Sequence, residues 1–243
     1  MKKRKKLWWL LILVAATVSM NGCNEDTASS IDALLNEPTG SSTEIATTTT
    51  DLPTDYDGTN QEIVLNENVS TFTETDLDLS NGAWQTFSDL DSLNRVGVAD
   101  AIIGKESFPT EQRDPKLYTI PTGWHQKRTG TGPNDWFYNR SHLIGHQLTG
   151  ENDNPKNLMT GTRQFNTPHM ENYENQVKDY IKLTGNHVRY RVTPHFLNDE
   201  LVARGVQMEA QSVEDNNFSF NVYIFNIQDG YTIDYSTGRA TKN

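Results

Sequence analysis

Residues 136–146 read WFYNRSHLIGH, an aromatic run followed by a polar tetrad and a glycine between apolar and basic residues. The aromatic run 136–138 is typical of a short strand, and it leads directly into the polar tetrad Asn139-Arg140-Ser141-His142. Histidine changes its charge near neutral pH, and arginine can bind an anion through two parallel hydrogen bonds. The stretch therefore predicts a general base and an anion-binding side chain at the end of one strand.

A helix is predicted downstream of this strand. Pro168 suits its first turn and Gly185 suits its C-terminal cap. Its apolar positions recur at spacings of three and four residues: Met170, Tyr173, Val177, Tyr180 and Ile181. Asn166 lies where the helix begins, and Glu174 follows about two turns, or roughly 12 Å, further on.

These residue types meet the needs of phosphodiester hydrolysis, which requires an activated water, a cation beside the developing charge and a stabilised leaving oxygen. His142 is a candidate base, and the Asn166 oxygen is a candidate ligand for a hydrated magnesium ion. Plainer alternatives stay open. Asn166 is also a good helix cap, Glu174 a surface partner for Lys178, and Arg140 a member of a salt bridge.

The ordered series of motifs resembles a known family. The tetrad is followed by NPKNL at 154–158, RQFN at 163–166, NYE at 172–174, VRYRV at 188–192, QMEA at 207–210 and DYSTG at 234–238. In this order the chain resembles the DNA/RNA non-specific endonucleases of the ββα-metal, or His-Me finger, class. Within that class it resembles the DNA-entry and streptodornase-like nucleases of Gram-positive bacteria. The resemblance covers roughly residue 81 to the C-terminus.

The resemblance implies a role for each site residue. His142 matches the general base, Asn166 the direct Mg²⁺ ligand, for which Mn²⁺ may substitute, and Glu174 the residue that orients the water shell of the metal. Arg140 and Asn157 match polar groups of the catalytic site. The implied reaction leaves a 5′-phosphate and a 3′-hydroxyl.

Basic residues predict where nucleic acid binds. Lys127 and Arg128 match a basic loop of the family, and Arg163 lies in one of the matching motifs. Arg189 and Arg191 would share one strand face, either as a phosphate-binding patch or as an ordinary solvated face. No base-reading element is apparent, so contacts mainly to the phosphate backbone of DNA, and of RNA, are expected. No protein partner is predictable.

Two departures from the family pattern stand in the tetrad. The family signature is Asp-Arg-Gly-His, whereas this chain has Asn139 and Ser141 at the first and third positions. Asn139 keeps a second interpretation open: a non-catalytic surface protein that binds nucleic acid on the same scaffold. A zinc hydrolase using His142 and His146 is disfavoured, because Leu143 stands where the zinc-peptidase motif requires glutamate.

The N-terminus reads as an export segment, residues 1–23, with five basic residues, a short apolar run and the single cysteine, Cys23. It resembles a lipoprotein signal that would lipidate Cys23, which predicts a membrane tether at the outer face of a bacterial cell, or secretion. Residues 24–79 carry thirteen acidic and no basic residues and are predicted to be a disordered tether. A short element near residues 61–65 could pair with the folded domain.

The prediction for residues 80–243 is an α+β endonuclease domain with a central antiparallel sheet. The net charge of −11 resides mainly in the tether, because residues 80–243 carry sixteen basic and nineteen acidic residues. A weakly acidic domain can still bind a polyanion where its basic groups cluster.

Overall fold

A computed structural model describes residues 52–243. The export segment, Cys23 and residues 24–51 of the tether lie outside the described residues, so the predictions made for them remain predictions. Within residues 52–243, no helix is both long enough and apolar enough to cross a membrane.

A six-stranded sheet forms the centre of the fold. Its strands are β1 (Glu62–Val64), β2 (Trp84–Phe87), β3 (Ala99–Ile103), β6 (Val188–His195), β7 (Gly205–Ser212) and β8 (Ser219–Phe225). They lie in the order β1-β8-β7-β6-β3-β2, and every neighbouring pair is antiparallel. The predicted α+β class with a central antiparallel sheet is confirmed.

Two ribbons and two helices complete the fold of residues 52–243. One ribbon pairs β4 (Tyr138–His142) with β5 (Leu158–Thr162), and the other pairs β9 (Tyr231–Asp234) with β10 (Arg239–Lys242). The short helix α1 (His146–Thr149) follows β4, and the longer helix α2 (Glu171–Thr184) precedes β6. Turns of 3-10 helix occupy Asn66–Asn68 and Lys105–Ser107.

Helix α2 packs its apolar face on the central sheet. Val177, Tyr180 and Ile181 are buried in one cluster with residues of the sheet strands, and the Tyr180 ring stacks on Phe218 at 4.8 Å. Gly185 ends the helix with a φ of 80°, and its N–H donates to the carbonyl of Ile181, as the sequence predicts.

The start of α2 differs from the prediction. Pro168 lies in an irregular turn, Phe165–Met170, that precedes the regular helix. Thr167 adopts extended dihedral angles, φ −137° and ψ 116°. A residue before proline disfavours the α conformation, and the helix therefore begins after this turn, at Glu171.

Part of the predicted tether is folded. Strand β1 pairs with β8, with Glu62 opposite Ile224, and this confirms the predicted short element near residues 61–65. Leu65 is buried with Tyr223 and Phe225. Residues 52–79 therefore belong to the folded unit, and the boundary predicted at residue 80 is wrong. The segment is polar overall, but it contains a few apolar residues that pack on the sheet and a strand that forms the edge of the sheet.

The same segment covers the sheet face that carries Arg189. This side chain is only 2 % exposed; it is ion-paired with Asp100 and lies 4.8 Å from the ring centres of Phe72 and Trp84. A guanidinium enclosed in this way does not contact a phosphate. The prediction that Arg189 binds nucleic acid is therefore wrong.

Arg191 is neutralised on the same face. It stands opposite Asp100 on β3 and Glu209 on β7, and its guanidinium lies within 3.7 Å of carboxylate oxygens of Asp76, Asp100 and Glu209. Cross-strand pairs of opposite charge stabilise a sheet. The two arginines do share a face, but this face is internal and acidic, so the predicted phosphate-binding patch is not there.

We expect Arg189→Met to lower the free energy of unfolding by about 3 kcal/mol, because it leaves the Asp100 carboxylate partly buried with one weaker partner. Denaturant unfolding monitored by fluorescence measures the change. Arg163→Met is the matched control, with an expected change within about 0.5 kcal/mol, since Arg163 has no ion pair among residues 52–243. An unchanged stability for Arg189→Met would contradict the assignment.

Candidate active site

The β4–β5 ribbon presents His142. Strand β4 ends at this residue, opposite Leu158 of β5. The next residue is held as well, because the N–H of Leu143 donates to the carbonyl of Asn157 at 2.9 Å. Helix α2 follows β5 in the chain, and Leu143, Met159 of β5 and Val177 of α2 lie in one buried cluster, so the ribbon and the helix form the predicted ββα arrangement.

Asn157 lies away from the place predicted for it. Its side chain is fully buried, its Oδ1 accepts from the N–H of Ile144 and its Nδ2 donates to the carbonyl of Ile144, both at 2.9 Å. It lines neither of the two cavities described below. Asn157 therefore fixes the turn after His142, and the prediction that it is a catalytic group is wrong.

The environment of His142 favours the neutral imidazole. The residue is 7 % exposed, and burial lowers its pKa to about 4, with the nearby charge of Arg113 acting in the same direction. Its Nε2 lies 2.7 Å from the carbonyl oxygen of Asn152. A carbonyl only accepts hydrogen bonds, so Nε2 carries the hydrogen and Nδ1 carries the lone pair. The geometry thus assigns Nδ1 as the basic atom.

His142 and Asn166 lie in the wall shared by two adjoining cavities. The larger cavity has a volume of about 840 Å³ and the smaller about 310 Å³, and both are lined by Arg113, His142 and Asn166. We call the larger one the groove and the smaller one the side cavity. The structure therefore brings together the two residues, distant in sequence, on which the predicted chemistry depends.

Side chains with amide or carboxylate oxygens line the side cavity. Asn166, Glu171 and Glu174 are among them, and the Asn166 amide group donates to the Thr167 hydroxyl at 3.2 Å. This donation leaves the Asn166 Oδ1 as the atom available to a cation. Carboxylate and amide oxygens suit a hard cation such as Mg²⁺, and few direct protein ligands suit one that keeps most of its waters. The donor set therefore fits a hydrated divalent ion.

Glu174 reaches this cavity because Gly145 has no side chain. A Cβ added to Gly145 would lie 2.2 Å from Glu174 Oε2. Gln147 Nε2 donates to the same oxygen at 3.4 Å. Burial raises the pKa of Glu174 to about 8. A bound cation would favour the ionised carboxylate and oppose this shift.

Strand β1 supports the segment that carries Asn166. Glu62 binds the His169 ring through one carboxylate oxygen and accepts from the Tyr173 hydroxyl at 2.9 Å through the other. Gln164 donates to the Gln61 side chain at 2.9 Å. The residues on both sides of Asn166 are thus tied to the sheet edge.

Three arginines line the groove: Arg113, Arg140 and Arg163. None of them is ion-paired with another residue of the described range, 52–243. Arg140 donates to the carbonyl of Thr119, and its guanidinium lies 4.7 Å from the ring centre of Trp124. The predictions for Arg140 and Arg163 thus agree with their positions. Arg113 was not anticipated, because it stands in an irregular, proline-containing stretch without a motif.

The predicted basic loop separates into two residues with different surroundings. Lys127 Nζ donates to the carbonyl of Ala240 at 2.6 Å and lies 4.6 Å from the ring centre of Tyr231. It is absent from the groove lining, so its predicted contact with nucleic acid is not supported. Arg128 is exposed, and its guanidinium lies 4.4 Å from the ring centre of Trp136, which does line the groove.

The two departures in the tetrad have different surroundings. Ser141 is fully buried, and its hydroxyl has no hydrogen-bond partner among the described residues. A Cβ on Gly161 would lie 2.2 Å from that hydroxyl, so the glycine makes room for Ser141. Asn139 lines the groove. Its amide can orient a ligand by hydrogen bonds but adds no negative charge.

Residues 77–214 match the family model described as DNA/RNA non-specific endonuclease. The chain belongs to this family. Its members act on nucleic acid, so this endonuclease has nucleic acid as its substrate, and the resemblance noted in the sequence is confirmed.

Solved nucleases share the fold of this endonuclease. NucA from Streptococcus agalactiae, with a magnesium ion bound, is 29 % identical, with a TM-score of 0.69 over 80 % of this chain and 93 % of that one. Sda1 nuclease, with a bound zinc ion, is 25 % identical, with a TM-score of 0.60 over 76 % of this chain and 97 % of that one. An extracellular endonuclease that is 21 % identical also shares the fold, with a TM-score of 0.55 over 72 % of this chain and 95 % of that one.

The depressed pKa of His142 makes stability depend on pH. The unfolded chain, with the ordinary value of 6.5, binds the proton before the folded one, with about 4. We therefore expect the free energy of unfolding to fall as the pH drops from 6.5 to 4, by up to about 3 kcal/mol from this group. Urea unfolding across this range measures it. His142→Asn, which keeps a donor for Asn152, should lack this pH-dependent part of the free energy of unfolding. The same pH dependence in both proteins would contradict the lowered pKa of His142.

Proposed function

We propose that this endonuclease hydrolyses phosphodiester bonds of DNA and RNA without base selection, using a hydrated divalent cation, Mg²⁺ or Mn²⁺. The observation that carries the proposal is the convergence of His142 and Asn166 on one groove lined by unpaired arginines. A neutral imidazole, a free amide oxygen and positive charge are the groups that this reaction needs.

His142 activates the attacking water in this proposal. Its Nδ1 lone pair accepts the water proton as the water oxygen bonds to phosphorus. The hydrogen bond from Nε2 to Asn152 fixes the orientation of the ring and favours the charge that forms on it. The bond from phosphorus to the 3′ oxygen breaks, and this oxygen takes a proton from solvent water, which leaves a 5′-phosphate and a 3′-hydroxyl.

Asn166 would hold the cation through Oδ1, and Glu174 would accept hydrogen bonds from the water shell of the cation. When bound, the ion supplies positive charge beside the phosphate and the leaving oxygen. Arg140, Arg163 and Arg113 neutralise the phosphates of the strand in the groove. These contacts are made to the phosphate backbone of the nucleic acid and not to the bases. They support cleavage without strong sequence preference and binding that weakens as the salt concentration rises.

The site of action proposed for the enzyme is outside the cell. The export segment with Cys23 supports lipid attachment at the outer face of the bacterial membrane, or secretion after cleavage of the signal. The acidic run that follows would repel anionic headgroups and hold the folded unit away from the membrane.

Cleavage of a supercoiled plasmid and of a structured RNA tests the proposal. We expect cutting with Mg²⁺ or Mn²⁺, none in EDTA, and a loss of about a hundredfold or more in His142→Ala, since a general base contributes that much. Asn166→Ala should lose activity, with partial recovery at high metal concentration. His125→Ala is the matched control, because this histidine is exposed and lies outside the groove.

Two results would contradict the proposal. Tight nucleic-acid binding by the wild type without any cutting would favour a non-catalytic binding protein. Activity restored by Zn²⁺ but not Mg²⁺, and abolished by His146→Ala, would favour a zinc hydrolase. The described residues contain no cluster of three histidine, cysteine or acidic side chains that could hold zinc.

A further inference from the structure

An exposed tryptophan stands in the wall of the groove. Trp136 is 42 % exposed and lines the groove with His142 and Arg163. The other large hydrophobic residues with high exposure in the described range, among them Tyr118 at 74 %, are not part of the lining. An indole offers a flat apolar face, and its place in one groove with arginines fits a ligand that combines an aromatic face with negative charge.

Trp136 is held in place before any ligand arrives. Its backbone bridges to Arg128, and the Arg128 guanidinium lies 4.4 Å from the centre of its ring. That guanidinium is itself anchored by donating to the carbonyl of Gly132 at 2.6 Å. Asp135 accepts from the N–H of Gly132 and tightens the loop. The indole is thus held next to an anchored cation, while 42 % of the residue stays exposed and it contributes to the groove lining.

Trp124, the second tryptophan of the groove, serves another purpose. The Arg140 guanidinium lies 4.7 Å from its ring centre, and the Tyr138 ring lies 6.2 Å away. It is less exposed than Trp136 and acts as a support for Arg140. Trp136 is therefore the indole of the groove that is available for stacking.

We propose that Trp136 stacks on an unpaired base of the strand being cut, so that the enzyme prefers single-stranded and looped nucleic acid to a regular duplex. This inference rests on the proposed function and adds a substrate class to it. Bases in a duplex already stack on their neighbours and offer no face to a side chain, whereas an unpaired base does. The arginines of the groove would bind the adjoining phosphates while the indole binds the base.

Steady-state kinetics on a single-stranded oligonucleotide and on the duplex of the same sequence test the inference. For Trp136→Ala we expect kcat/KM on the single strand to fall about tenfold, through KM, because base stacking on an aromatic ring contributes about that factor. On the duplex the change should stay within about twofold, since no stacked base is lost. Trp136→Phe keeps a flat ring and should recover part of the single-strand activity.

Tyr118→Ala is the matched control, because it removes an exposed ring outside the groove and should leave both substrates unaffected. Equal losses of Trp136→Ala on the two substrates, or none on either, would overturn the inference. Binding is measured separately by fluorescence anisotropy in a His142→Ala background. If the wild type cuts neither substrate, the proposed function fails. The stacking inference fails on its own if the wild type cuts both but Trp136→Ala shows no selective loss of single-strand binding.

Discussion

The buried carboxamide of Asn157 holds the turn on which the site depends. It donates to and accepts from the backbone of Ile144, so both polar groups of that peptide residue are satisfied away from water. The turn begins at His142 and ends at Gly145, whose missing side chain admits the Glu174 carboxylate. One amide therefore sets the position of the imidazole at one end of the turn and the space for the carboxylate at the other. A buried, fully satisfied polar group of this kind confers a defined geometry that apolar packing alone would leave looser.

Two groups of arginines in the endonuclease differ in their surroundings, one neutralised by carboxylates on the sheet and one lining the groove without ion pairs. This distribution explains how an acidic chain can bind a polyanionic substrate. On the internal sheet face, Asp100 and its acidic neighbours neutralise Arg189 and Arg191, so these cations contribute to stability. In the groove, Arg140 and Arg163 form no ion pair within residues 52–243, so their charges remain available to a phosphate. The net charge of −11 is therefore a poor guide to the substrate, because the potential inside a cleft depends on local charges.

The helix and the convergence of His142 and Asn166 on one site were predictable, because local periodicity and an ordered series of motifs carry that information. The strand predicted at residues 136–138 lies instead at Tyr138–His142, since pairing with β5 places the polar tetrad itself in the strand. The role of Asn157 was not, since a buried structural amide and a catalytic one are the same residue type in a sequence. Arg113 was missed because it reaches the groove from a loop without a pattern. The folding of residues 52–79 was missed for a related reason. The polar composition of this segment predicts disorder, whereas the segment is ordered because its strand β1 pairs with β8, which is distant in the chain. The features that could not be predicted all depend on contacts between residues that are far apart in the chain.

Diffraction from crystals soaked in Mn²⁺, recorded at a wavelength where manganese scatters anomalously, tests whether one divalent cation binds at Asn166, within the site that contains His142. A single anomalous peak is expected in the side cavity, slightly farther from the Asn166 Oδ1 than the distance of about 2.1 Å typical of Mg²⁺, with the remaining ligands being water. A peak bound between the rings of His142 and His146, or a peak elsewhere with Asn166 free of metal, would contradict this account of the site.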